Sequence, residues 1–124
     1  MRIQSDRRVQ FIDITDQVDQ AVRKSEARAV VVSSPHTTCG VTVNEGTDND
    51  VARDMMKRLA YLVPEHDGYA HAEGNSDAHI KTSLIGSSVI LPLDQGKIRL
   101  GRWQRIFLAE FDGPRTRDID VTEL

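Results

Sequence analysis

Hydrophobic and polar positions change their period several times along this chain, and each change marks an element. Apolar residues alternate loosely around Val9, Phe11 and Ile12, which predicts a strand between Arg7 and Ile14. Thr15 stands at the N-cap position of a short helix from Asp16 to Lys24, with Val18, Ala21 and Val22 on one face. The unbroken run Val30-Val31-Val32, within Ala27 to Ser33, fits a strand covered on both sides, and Pro35 ends it. Val41 and Val43 alternate with Thr42 and Asn44, predicting a strand from Gly40 to Asn44.

A helical period then takes over. Thr47 opens the clearest helix, with Asp48 and Asp50 in its first turn and Lys57 and Arg58 near its end, an order that complements the helix dipole. Val51, Met55, Leu59 and Leu62 form its expected buried stripe, and Pro64 stops it. Glu65 to Ser76 reads as loop, broken by Gly68, Gly74 and Asn75. Ser76 caps a short helix from Asp77 to Ile85 that Gly86 closes. Val89–Leu93 and Lys97–Leu100 flank Asp94-Gln95-Gly96 as a hairpin, and Arg105–Phe111 and Arg115–Val121 flank a turn at Asp112-Gly113-Pro114. Strands at both ends with two or three helices between them predict a single α+β domain over residues 1–124, mostly antiparallel.

Composition narrows the function. The chain has 124 residues, enough for one core and not two. Its net charge of −3 gives no support for sequence-independent nucleic-acid binding, which needs a basic face. The N-terminus is too polar for a signal-peptide core, and no apolar run approaches the ~18 residues of a membrane span. Cys39 is the single cysteine, so no intrachain disulfide forms and a cytoplasmic location is expected.

Candidate chemistry gathers in two polar blocks, His36-Thr37-Thr38 with Asn44-Glu45, and His71 followed by Gly74-Asn-Ser-Asp-Ala-His-Ile-Lys81. Three histidines, His36, His71 and His79, with an open fourth position would make a catalytic zinc-type site. Glu45, Glu73 or Asp77 could add an oxygen ligand or orient a histidine. Equally, these can be loop histidines bonded to backbone. Lys81, near a helix start, suits an anion. Cys39 opens an apolar strand and reads as structural rather than nucleophilic. In the last strand Arg115, Arg117, Ile119 and Val121 share a face. Glu110 shares its own with Ile106 and Leu108 and needs a partner, for which Arg115 or Arg117 is available, as an ion pair or within a substrate site.

These blocks resemble the YjbQ-like family, named for a weak, secondary thiamine-phosphate synthase activity. The matching segments are His36-Thr-Thr-Cys-Gly-Val-Thr-Val-Asn-Glu45, Gly74–Lys81, Gly86-Ser-Ser, Ile90-Leu-Pro-Leu-Asp-Gln-Gly96, Leu100-Gly-Arg-Trp-Gln104 and Glu110-Phe-Asp-Gly-Pro-Arg-Thr-Arg117. The likeness runs from about Val9 to Val121. It implies an α+β domain with a β-sandwich, assembled as a homotrimer with pockets near subunit contacts.

The resemblance also implies site roles. His36, Glu45, His79 and Lys81 would be catalytic; Asn75, Asp77, Lys81, Glu110, Arg115 and Arg117 would bind substrate; His36, His71 and His79 would hold a divalent metal, zinc or magnesium. The implied reaction joins a hydroxymethylpyrimidine pyrophosphate to a thiazole phosphate and releases pyrophosphate. Lys81, Arg115, Arg117 and the metal would stabilise the leaving group, with His36 or His79 as ligand or acid. Metal-assisted hydrolysis of a small phosphorylated substrate, and a non-enzymatic metal- or anion-binding trimer, are the alternatives.

Overall fold

The computed structural model describes residues 1–124. In chain order the elements are β1 (Arg2–Gln4), β2 (Gln10–Asp13), α1 (Thr15–Val22), β3 (Ala29–Ser33), β4 (Cys39–Glu45), α2 (Asn49–Leu62), α3 (Ser76–Ile85), β5 (Ser88–Asp94), β6 (Lys97–Ile98), β7 (Gln104–Glu110), β8 (Thr116–Asp118) and β9 (Asp120–Glu123). They form an α+β domain in which every strand pairing is antiparallel. One sheet has the order β2-β7-β4 and a second β6-β5-β3-β9, while β1 pairs with β8 alone.

The core lies between the two larger sheets. Val30 and Val32 of β3 meet Cys39 and Val41 of β4, Ile106 and Leu108 of β7, and Val18 and Val22 of α1. On the opposite face of β7, Ala109 packs with Phe111, just past the strand, against Ala78 of α3, with Phe11, Leu59 and Ile85 beside them. Phe11 meets Phe107 and Phe111 edge-on at centroid distances of 6.3 and 6.4 Å. Strand β7 is therefore buried on both sides, which explains its nearly unbroken apolar run.

Several sequence expectations shift here. Val31 is only half-buried between buried Val30 and Val32, so β3 is fully covered on one face and not on two. Thr15 is the first helical residue rather than the cap, because Asp13 accepts from its amide at 3.0 Å while the Thr15 hydroxyl accepts from the Ile106 amide at 2.8 Å. Asp48, one residue after Thr47, caps α2 by accepting from the Asp50 amide. The expected stripe on α2 is not buried: no residue of this helix is, and Leu62 is 61% exposed. That helix covers only part of the outer face of the β2-β7-β4 sheet.

The C-terminal strand is two strands. Residues 116–118 pair with β1, which the sequence pattern did not reveal, whereas 120–123 cross to β3. Ile119 lies buried between them, its amide donating to the Met1 carbonyl. The hairpin at Asp94-Gln95-Gly96 forms as expected, with Asp94 opposite Lys97 and positive φ at Gln95 (48°) and Gly96 (75°), the signature of a primed turn.

Candidate functional site

Two glycines bring the histidine blocks together. Gly86 ends α3 with φ of 98°, a conformation that disfavours any side chain, and its carbonyl accepts from the Val41 amide at 3.1 Å. A Cβ at Gly40 would come within 2.5 Å of that carbonyl, so β4 can approach the end of α3 only with glycine there. Ser34 and Ser87 add a backbone bond at 2.8 Å. These contacts set the β3–β4 loop beside the C-terminal half of α3.

Between them lies a cavity of about 650 Å3 lined by Ser34, His36, Thr37, His79, Thr82, Ser83, Gly86 and Ser87. No apolar side chain and no carboxylate lines it. Five hydroxyls and two imidazoles form an environment suited to an oxyanion. Thr82, 7% exposed, has a hydroxyl with no hydrogen-bond partner in the chain.

The loop wall is fixed from behind. The Asp118 amide donates to His36 Nε2 at 2.9 Å. Since a backbone N–H can only donate, Nε2 carries the lone pair and Nδ1 carries the hydrogen. The Ser34 hydroxyl accepts from the His36 amide and lies 3.1 Å from Cys39 Sγ. Arg117 donates to the hydroxyl and carbonyl of Thr38 at 2.9 and 3.2 Å and is clasped by Glu110, its Nε donating to Oε2 at 2.7 Å. Glu110 also accepts from the Ser5 hydroxyl and the Asp112 amide, each at 2.9 Å. Burial alone would push the Glu110 carboxyl up, but Arg117, the Asp112 amide and Ser5 outweigh it and hold it below the usual carboxylate range. Burial pushes the Cys39 thiol up, which suits the structural role expected of it.

A second polar group fixes α3. Arg8 donates both terminal nitrogens to Asp77, at 3.0 and 2.9 Å, and Lys81 reaches the same carboxylate at 3.5 Å. Burial would raise the Asp77 carboxyl, yet Arg8 and then Lys81 leave it lowered. Asn75 donates to Asp112 at 2.9 Å, and Arg115 meets the same carboxylate at 3.1 Å. Arg8, Ser5 and Asp112 are thus parts of this framework that the sequence did not single out, because each also bonds to a residue distant in the chain.

The expected site residues therefore separate. His36 and His79 share the cavity, and His71 stands beside His79, ring edge to ring face at 5.6 Å. Lys81 and Arg117 lie away from solvent, 3% and 1% exposed, each facing a carboxylate. Arg115 does not share the buried face of Arg117: it lies exposed just before β8. Glu45 is at the far end of β4, opposite Gln104, whereas Cys39 at the near end is opposite Glu110. Six residue steps of about 3.4 Å put it some 20 Å from the histidine end.

The expected three-histidine centre does not form within one chain. No three His, Cys, Asp or Glu side chains stand close enough to hold an ion. His36 in its present tautomer also has no free lone pair to offer. A single chain thus supplies no three-ligand zinc centre of the kind expected from His36, His71 and His79.

A sandwich of small antiparallel sheets with a polar, histidine-lined cavity at the end of a helix defines a compact α+β domain. The sequence model of the UPF0047 protein YjbQ-like family matches residues 1–124, and the chain belongs to that family. It is 43% identical to a UPF0047 protein of Methanocaldococcus jannaschii, over 97% of this chain and 88% of that protein. It is 41% identical to the UPF0047 protein YugU of Bacillus subtilis, over 94% and 91%. A YjbQ/UPF0047-family structure from Clostridium acetobutylicum matches with a TM-score of 0.96 at 45% identity, covering 100% of this chain and 98% of the other. No helix of the chain is long and apolar enough to cross a membrane.

Proposed function

We propose that this protein acts on small phosphorylated metabolites, in the manner of a thiamine-phosphate synthase. The observation that carries the reading is the cavity shared by His36 and His79, rich in hydroxyls and free of carboxylates. Its volume of about 650 Å3 is in the usual range for small-molecule sites. In the reaction the thiazole nitrogen attacks the pyrimidine methylene, forming a C–N bond as the C–O bond to pyrophosphate breaks. Negative charge grows on the departing oxygens, and pre-oriented donors stabilise it. His36 Nδ1–H and the hydroxyls of Thr37, Thr82 and Ser87, which make no hydrogen bond within the chain, supply such donors.

His79 is the candidate acid, because no hydrogen bond within the chain holds its ring and both nitrogens remain free for substrate. Imidazole is the side chain suited to moving a proton near neutral pH. Lys81 and Arg117 act indirectly, by holding α3 and the His36 loop. Leaving-group charge falls to the cavity donors in place of the cations expected from sequence.

The cavity offers the rings of the substrates no apolar seat. A neighbouring copy would supply one, in keeping with the trimer implied by the family resemblance. The unburied apolar face of α2 supports assembly, with Tyr61 75% exposed and Leu62 61%. Sedimentation equilibrium at micromolar concentration is expected to give three times the chain mass, and a monomer would remove the assembly.

The test of function is incubation of the purified protein with both precursors, with and without magnesium or zinc. Thiamine phosphate and pyrophosphate are expected in equal amounts above a no-enzyme control. Inorganic phosphate alone would point to hydrolysis, and binding without turnover to an anion-binding assembly. Either result would remove the synthase reading.

A further inference from the structure

A second cavity is larger than the histidine one. It is a cleft of about 910 Å3 where the end of α1, the entry to β3 and the β5–β6 hairpin meet. Its walls are held by backbone. The Leu93 amide donates to the Arg28 carbonyl at 2.9 Å, and the Arg28 amide to the Leu124 carbonyl at 2.9 Å. The hairpin lies tight against the helix end: a Cβ on Gly96 would come within 2.3 Å of the Arg23 carbonyl. Ser25 shapes the turn between helix and strand, its amide donating to the Val22 carbonyl and its hydroxyl accepting from the Ala27 amide.

Four cations line this cleft, Arg23, Lys24, Arg28 and Arg99, against two carboxylates, Glu26 and Asp94. Arg99 is paired with Asp94 at 3.0 Å. No ion pair within the chain engages Arg23, Lys24, Arg28 or Glu26, so the cleft carries an excess of positive charge on a chain whose net charge is −3. Arg23 and Lys24 follow the C-terminal end of α1, where they complement the helix dipole. That accounts in part for these two cations, the Asp94 pair accounts for Arg99, and Arg28, at the entry to β3, is left with no carboxylate partner in the chain. The convergence of these cations from three elements onto one concave, mostly polar surface is what a multiply charged anion requires.

We propose that this cleft is a second anion site, for a ligand carrying two or more phosphate groups, distinct from the histidine cavity. The strand register separates the two. Ala29 is opposite Pro92 at the cleft end of the β3–β5 pair, and Ser33 is opposite Ser88 at the cavity end. Four residue steps of about 3.4 Å place them roughly 14 Å apart along the sheet. The proposal stands independently of the synthase reading.

The experiment is a titration with inorganic tripolyphosphate, followed by amide proton–nitrogen correlation spectra at constant ionic strength. Shifts are expected at Ser25–Arg28 and Leu93–Gln95, saturating with one ligand per cleft. The double variant Arg23→Gln/Arg28→Gln, which alters exposed side chains only, should bind there roughly tenfold more weakly. His79→Ala should leave these shifts in place. Shifts confined to Ser83–Ser87, none in the cleft, equal binding by the double variant, or the same shifts from chloride would each overturn the proposal.

Discussion

Replacing Arg117 by methionine is expected to cost the fold about 3–5 kcal/mol, the loss typical of breaking a buried ion pair on one side. Arg117 is 1% exposed and Glu110 is fully buried, so the variant leaves a carboxylate with only the Ser5 hydroxyl and the Asp112 amide as donors. The double variant Arg117→Met/Glu110→Leu should recover most of the loss, since no charge is then stranded. Urea unfolding of each variant at one fixed chain concentration measures both effects. A cost below about 1 kcal/mol for the single variant would show that the pair is not buried as described.

The same pair sets a pH dependence. The folded Glu110 carboxyl is held below its ordinary value, so its contribution is fully present above the unfolded pKa of about 4.3. It is lost as pH falls through the lower, folded value. Wild type should therefore lose stability on acidification below about pH 4.3. In Glu110→Gln that component of the loss should disappear, although other carboxylates, Asp77 among them, still contribute.

Much of the framework was legible because single patterns controlled it. The hairpin at Gln95-Gly96 needed positive φ at both residues, and glycine with a polar neighbour announced it. Alternation along Arg117, Ile119 and Val121 placed Arg117 on the inner side, and Glu110 among apolar neighbours demanded a cation. Choosing Arg117 over Arg115 required tertiary structure, because Arg115 precedes β8 and faces solvent. Strand β1 was hidden for a similar reason: Arg2-Ile3-Gln4 has one apolar residue and gains its identity from pairing with β8.

The candidate site was legible as residue types and not as a constellation. His36 and His79 stood out in polar blocks, and the structure joins them through the Gly40–Gly86 approach. Glu45 belongs to the same block as His36, yet β4 carries it to the opposite end of the sheet. Proximity in sequence misleads there, because an extended strand separates its ends by about 3.4 Å per residue. Arg8 had no local signal at all. Its importance comes from Asp77, sixty-nine residues away, which it grips with both nitrogens.

Changing His79 to alanine is expected to lower the turnover of thiamine-phosphate formation by about 10²–10⁴-fold, the usual contribution of a positioned acid–base group. The fold should change little, because His79 is only half-buried, makes no side-chain hydrogen bond within the chain, and sits in a helix where alanine is the favoured residue. His36→Ala also removes the acceptor of the Asp118 amide, but that bond is exposed and water takes its place, so the loss of rate should come with little loss of stability. His71, 45% exposed and 3.6 Å from Glu73, touches the ring of His79 without lining the cavity. His71→Ala should therefore have a smaller effect than either. Initial rates with both precursors saturating, set beside urea unfolding of the same samples, separate proton transfer from folding. If His79→Ala turns over as fast as wild type, the acid lies elsewhere. A uniform rise in KM at unchanged kcat would instead reduce His79 to a binding contact.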